Sequence, residues 1–169
     1  SYPVFRIGDR WVTVGTDARW ASSCFIPPDL RGQPVLMLSN LENDRETPLF
    51  QRIPDEACQP DRTVAEIEYQ LSTEGNATAT VRETLHGGNA IQWRRLLEET
   101  PPEERVGRIE EDYIADVFPG AEIVDYSVEG QDDVDRPLVM IYELRGLRLG
   151  EPVNGGSLRV SRPFLSELT

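Results

Sequence analysis

The chain has 169 residues, 38% of them apolar and 28% charged, a balance that suits a globular fold and not a disordered one. Its net charge is −13, from 30 acidic against 17 basic residues, which repels a phosphate backbone and an anionic membrane surface alike. Every basic residue is Arg, so a P-loop lysine, Schiff-base chemistry and a lysine general base are all excluded.

The charge is unevenly placed. Residues 1–54 sum to zero, and residues 55–169 carry the whole −13. That break predicts two units, a β-rich segment over 1–54 and an acidic α+β domain over 55–169. No apolar run approaches the roughly 18 to 20 residues that a membrane-spanning helix needs. The chain begins at Ser1 without a Met or a signal-peptide pattern, and it reads as an excised or processed piece.

In the first unit, Val4, Phe5 and Ile7 lead through Gly8-Asp9-Arg10 into a second strand over residues 11–14, a predicted hairpin. Residues 15–34 are rich in Gly, Pro and Ser and read as a surface loop. Val35-Leu36-Met37-Leu38 is short and wholly apolar, which suits a buried strand. Residues 40–62, with Pro48, Pro54 and Pro60, read as the linker between the units.

The second unit is more regular. Ala65, Ile67, Tyr69 and Leu71 alternate with Glu66, Glu68 and Gln70, the pattern of a half-buried strand. Gly75 supplies the turn. Ala77, Ala79, Val81 and Leu85 return on one face, where Glu83 is the odd member. Asn89, with Gln92 three residues on, predicts a capped helix whose stripe is Ala90, Trp93 and Leu97. Thr100-Pro101-Pro102-Glu103 predicts a second capping box, with Val106, Ile109, Tyr113 and Val117 as the stripe and Pro119-Gly120 as the stop. Val124, Tyr126 and Val128 share a face of the next strand, and Leu138, Met140, Tyr142 and Leu144 a face of the one after it. A last strand covers residues 158–161. Strands on both sides of a helical pair predict an α+β fold, a mainly antiparallel sheet with two helices packed on one face, preceded by the short β-rich segment. Trp11 and Trp93 read as core residues, and Trp20 as an exposed or half-buried contact in the loop.

Residues able to do chemistry are sparse. Cys24 and Cys58 make neither a disulfide framework nor a CxxC zinc site, although one bridge between them suits an oxidising compartment. Cys24 with His86, the sole histidine, is the one thiol–imidazole pair available, and a loop cysteine with a turn histidine reads as two structural groups. Asp132, Asp133 and Asp135 are the metal candidates, in a loop that lacks the EF-hand spacing and its closing Glu. A solvated hairpin loop is the preferred reading of that stretch. GxSxG, GxGxxG and HExxH are all absent, and no cofactor is expected.

Several short motifs in order carry a resemblance. Gly8-Asp9-Arg10-Trp11 opens a strand that runs on to Asp17-Ala18-Arg19, and Ile26-Pro27-Pro28-Asp29-Leu30-Arg31-Gly32 follows before Val35. This stretch resembles the end of a bacterial transglutaminase-like domain, of the papain-like superfamily. Gly75-Asn76-Ala77 through Arg82, then Phe118-Pro119-Gly120-Ala121-Glu122-Ile123, then Asp133-Val134-Asp135-Arg136-Pro137-Leu138, resemble the β-rich C-terminal domain of unknown function in multidomain members. The resemblance implies a Cys–His–Asp set for acyl transfer or peptide hydrolysis through a thioester. The Cys position falls before Ser1 and the His position near Ser1 or Tyr2, where neither residue is a base. The Asp position falls on Gly15, and Asp17, two residues along the strand and roughly 6 to 7 Å away, is the fallback.

The expectation is therefore a non-catalytic accessory module that works by contact. Its partner is the upstream catalytic domain of the same protein, another protein or a second copy of itself, with no nucleic acid and no membrane insertion. The resemblance adds an extracytoplasmic or periplasmic setting. The alternatives are part of a cysteine-dependent enzyme active only with its upstream half, and a structural envelope module.

Overall fold

The computed structural model describes residues 4–7, 10–13, 15, 19–36, 50–55, 60–153 and 157–160. It is an α+β fold built on antiparallel sheets, with the short β-rich segment in front. Strands β1 (Val4–Ile7) and β2 (Arg10–Thr13) form the predicted hairpin, with Phe5 opposite Val12. Strand β3 (Pro34–Leu36) pairs with β4 (Phe50–Arg52). The expected 40–62 linker is thus partly built structure: it supplies β4, and Ile53 is fully buried, exchanging backbone bonds with Gly32 and Gln33.

The main sheet has four antiparallel strands in the order β5-β6-β8-β7, from β5 (Arg62–Leu71), β6 (Asn76–His86), β7 (Glu122–Glu129) and β8 (Leu138–Arg148). Period-2 alternation decides which side each residue faces. Val81, Leu85, Leu138, Met140 and Tyr142 all turn to one side, at 3% exposure or less. Two helices cover that side. Helix α1 is Gly87–Glu99, and α2 starts at Pro102 and runs on through a π-helical turn at Glu110–Ile114 to Val117. Ala90, Leu97, Ile109, Ile114 and Phe118 close the core from above. Among the described residues no helix is long and apolar enough to cross a membrane.

Gly75 closes the β5–β6 hairpin at φ +88°, and a Cβ there would overlap the carbonyl oxygen of Gly150. Its own carbonyl accepts from the N–H groups of Leu149 and Gly150, at 3.0 and 3.1 Å. That pins the hairpin tip beside the final ribbon, β9 (Gly150–Val153) with β10 (Ser157–Val160), which replaces the single last strand expected.

Three local expectations give way to identifiable competitors, and one helical stripe gains a residue. Helix α1 starts at Gly87, two residues before Asn89, and the Asn89 amide donates to Thr63 Oγ1 at 3.0 Å instead of capping. Asp61 does the capping from a distance, its Oδ1 accepting from the Gly88 N–H at 2.5 Å. Thr100 makes no side-chain cap, because Pro101 holds the N-cap position of α2 and Thr100 ends α1. A bulge between Ile123 and Asp125 shifts the β7 register, so Val124 is 56% exposed while Ile123, Tyr126 and Val128 pack inward. The π turn advances the helical face by one residue, which makes Ile114 a fully buried side chain in addition to the expected Ile109.

Leu97 sits on α1 with no exposed surface. Leu97→Ala is expected to cost about 2 to 5 kcal/mol. The check is a urea titration in which the midpoint falls while the slope stays unchanged.

Candidate functional site

Two polar constellations stand out, and both involve groups that helix α1 or strand β6 carries inward. The first is a seam where the N-terminal segment meets α1. Trp20 and Phe25, each 9% exposed, pack with Ile91 of α1 as a second, smaller core. Trp20 Nε1 donates to Glu98 Oε2 at 2.5 Å, while Arg19 pairs with the other Glu98 oxygen and stacks 4.9 Å above the Trp20 ring. At the other end of the seam, Arg31 Nη2 binds Asp61 Oδ2 at 3.1 Å, the same carboxylate that caps α1.

Arg94 is the unexpected member. It is only 3% exposed, and its Nη2 lies 3.1, 3.0 and 2.7 Å from the backbone carbonyls of Gly130, Asp133 and Arg136. A guanidinium therefore clasps the β7–β8 loop from beneath. Its Nε is buried with no hydrogen-bond partner among the described residues. Burial weakens its hold on the proton and the nearby Asp133 carboxylate opposes that, although an arginine stays charged throughout. Arg19, Trp20, Arg94, Glu98, Gln131, Asp132 and Val134 line a cleft of about 370 Å³ above it. Arg19 and Glu98 neutralise each other there, so the cleft holds its walls together more than it offers free charge.

The second constellation is sealed. Glu83 has no exposed surface, and the Tyr113 hydroxyl donates to its Oε1. Its Oε2 and the Tyr142 hydroxyl are buried with no hydrogen-bond partner among the described residues. Trp93 packs edge-on against Tyr113, with centroids 5.4 Å apart at 89°. Desolvation pushes the Glu83 carboxyl upward, against the smaller opposing effect of the Tyr113 bond. Burial and then Glu83 itself push both tyrosine hydroxyls upward. Such a group favours its neutral, protonated form. With no exposed surface it does not meet a substrate in this conformation.

The residues singled out from sequence are not brought together as a site. Asp17 lies outside the described residues. Cys24 is disulfide-bonded, which removes the thiolate that a Cys24–His86 pair would need, and Cys58 lies outside the described residues. His86 occupies the N-cap position of α1 and makes no side-chain cap there. Asp133 spends its carboxylate locally, on Arg136 Nε at 3.2 Å and on the Asp135 N–H at 3.2 Å. Among the described residues no group of three His, Cys, Asp or Glu side chains is placed to hold a metal, Asp132, Asp133 and Asp135 included. Trp20, expected at or near the surface, is more deeply buried than Trp11 or Trp93, both half-buried.

Among the described residues Glu83 and Arg94 are the buried charged ones, and the sequence reading gave neither a role. Glu83 carried a signal, a lone carboxylate in an alternating apolar strand. Arg94 carried a weaker one, since it lies four residues after Ala90 and three before Leu97, on the apolar stripe itself. Compared with known proteins, the chain matches no family model, no curated protein and no solved structure.

Two outcomes are expected. The folded state keeps the Glu83 proton at pH values where the unfolded chain, with an ordinary carboxyl near 4.3, has lost it. The stability that Glu83 contributes is therefore complete below the ordinary carboxyl range and is lost as pH rises through the raised folded value. Urea midpoints measured from about pH 4 to pH 9 should fall more steeply for the wild type than for Glu83→Gln, each lost pKa unit being worth about 1.4 kcal/mol. Arg94→Met should leave the sheet intact but free the loop, read as faster amide hydrogen exchange over residues 130–136.

Proposed function

We propose that this chain is a non-catalytic contact module, the C-terminal part of a transglutaminase-like protein. In this reading residues 1–54 are the closing strands of the catalytic domain and residues 55–169 are the accessory domain that grips them. The observation that carries it is the seam on α1. Trp20 and Phe25, from the stretch with the transglutaminase-like motifs, are packed against Ile91 of the acidic unit and tied to it through Glu98. Docking of that kind is a contact task, built from an aromatic anchor and charges that pair across a joint.

The chemistry of the remaining groups agrees with contact more than with turnover. The Cys24 sulfur is committed to a disulfide, and Glu83 has no exposed surface. A disulfide suits an oxidising, extracytoplasmic setting, as the resemblance implies. The partner in this reading is the upstream catalytic portion, whose sheet strands β1 to β4 would extend.

Two measurements test it. The purified chain, mixed with a glutamine-containing peptide and a primary amine, should release no ammonia; release that disappears in Asp17→Ala overturns the reading. Trp20→Ala should open the seam, raising amide exchange over residues 88–98 while the β6 and β8 amides stay protected. Unchanged exchange along α1 would remove the joint on which the reading stands.

A further inference from the structure

We propose that the outer edge of β5, unpaired among the described residues, is a docking site for an extended segment that alternates apolar and basic side chains, added to the sheet as a fifth strand. This rests on the reading that the chain works by contact, and it names the surface and the chemistry of the occupant.

The main sheet ends in two unlike edges. At one, β7 is broken by the Ile123/Asp125 bulge, a common device for blunting an edge. At the other, β5 runs ten residues in unbroken register with β6, from Arg62↔His86 to Leu71↔Ala77. It contains no Pro, no Gly and no bulge. Among the described residues β6 is the strand paired with it, so its other side presents a row of backbone donors and acceptors.

Its side chains say what fits there. On the helix side, Ala65, Ile67 and Tyr69 are half-buried and Leu71 is 40% exposed, whereas their cross-strand partners Glu83, Val81, Ala79 and Ala77 are all 5% exposed or less. The helical layer covers β6 fully and β5 only in part, touching it where Asn89 bonds Thr63 and leaving Leu71 exposed. A strand laid alongside would complete that burial with alternate apolar side chains. On the opposite side, Glu66 and Glu68 are exposed. Arg82 stands across from Glu66, but it is engaged by Glu129, with Nη2 3.0 Å from Oε2. Thr80 stands across from Glu68. Two carboxylates without an ion pair among the described residues therefore select an incoming strand with Arg or Lys on that face.

The same charges oppose a second copy as occupant. Antiparallel pairing of β5 with itself must keep the apolar sides together, so only residues of equal parity stand opposite each other. In the two such registers with the greatest overlap, Glu66 faces either itself or Glu68 of the other copy. Like charges directly opposite are destabilising.

The test uses the full chain and three labelled, end-capped decapeptides: valine alternating with arginine, valine alternating with glutamate, and five valines followed by five arginines. Fluorescence anisotropy should show binding of the alternating arginine peptide, at least about tenfold weaker binding of the block peptide, and none of the glutamate peptide. Glu66→Arg with Glu68→Arg should weaken the first by about tenfold or more, while Glu103→Arg with Glu104→Arg on α2 should leave it unchanged. Hydrogen exchange should show β5 amides gaining protection when the peptide is bound. Equal binding of the block peptide, or an equal loss in the α2 variant, would mean diffuse charge attraction and overturn the proposal. So would outward β5 amides already protected in the free chain, or a dimer by gel filtration whose formation protects those same amides. None of these failures touches the seam on α1, and ammonia release by the chain would defeat the contact reading while leaving the β5 result standing.

Discussion

Helix α1 makes three different contacts at once. One side, through Ala90 and Leu97, seals the core over β6 and β8. A second, through Ile91 and Glu98, holds Trp20 and Phe25. Arg94, between them, reaches under the β7–β8 loop to three carbonyls. Each of these contacts needs the helix at one height and one rotation above the sheet, so the core, the seam and the loop are fixed by a single rigid body. The helix is itself positioned from outside its own sequence, by the Asp61 carboxylate on its first turn.

Two polar groups are placed where apolar side chains would be easier to accommodate. Glu83 and Arg94 are both buried, and each retains an atom without a hydrogen-bond partner among the described residues. Their environments differ. Arg94 keeps its charge and converts it into loop architecture, because backbone carbonyls are good acceptors for a guanidinium. Glu83 meets two tyrosines and no cation among the described residues, so the favourable solution is to keep its proton. The π turn is part of the second arrangement. It inserts one residue into α2 and so lets Tyr113 reach Glu83 while Ile109 and Ile114 both point into the core.

The accessory-module reading and the β5 docking site concern different parts of the same sheet. Along α1 the joint is already filled, by residues of the N-terminal segment. Along β5 the helical layer leaves an unfinished row of apolar side chains beside two exposed carboxylates. Taken together, the two proposals would make the chain a link between two partners, with the −13 charge of residues 55–169 favouring basic chains at β5.

Alternation over residues 65–71, 77–85 and 138–144 and the two apolar stripes were enough to determine the strands, the helical pair and the α+β class, because side-chain period and burial face are local properties. The lack of Lys determined which lysine-dependent chemistries to set aside. Only the tertiary structure decided that Trp20 is an anchor, that Asp61 caps α1 and Asn89 does not, that Val124 faces out, and that Ile53 is buried in a stretch rich in Pro. Each of these depends on what arrives from a distant part of the chain, a remote carboxylate, a bulge set by the neighbouring strand or a loop folded against a helix. No window of neighbouring residues carries that information.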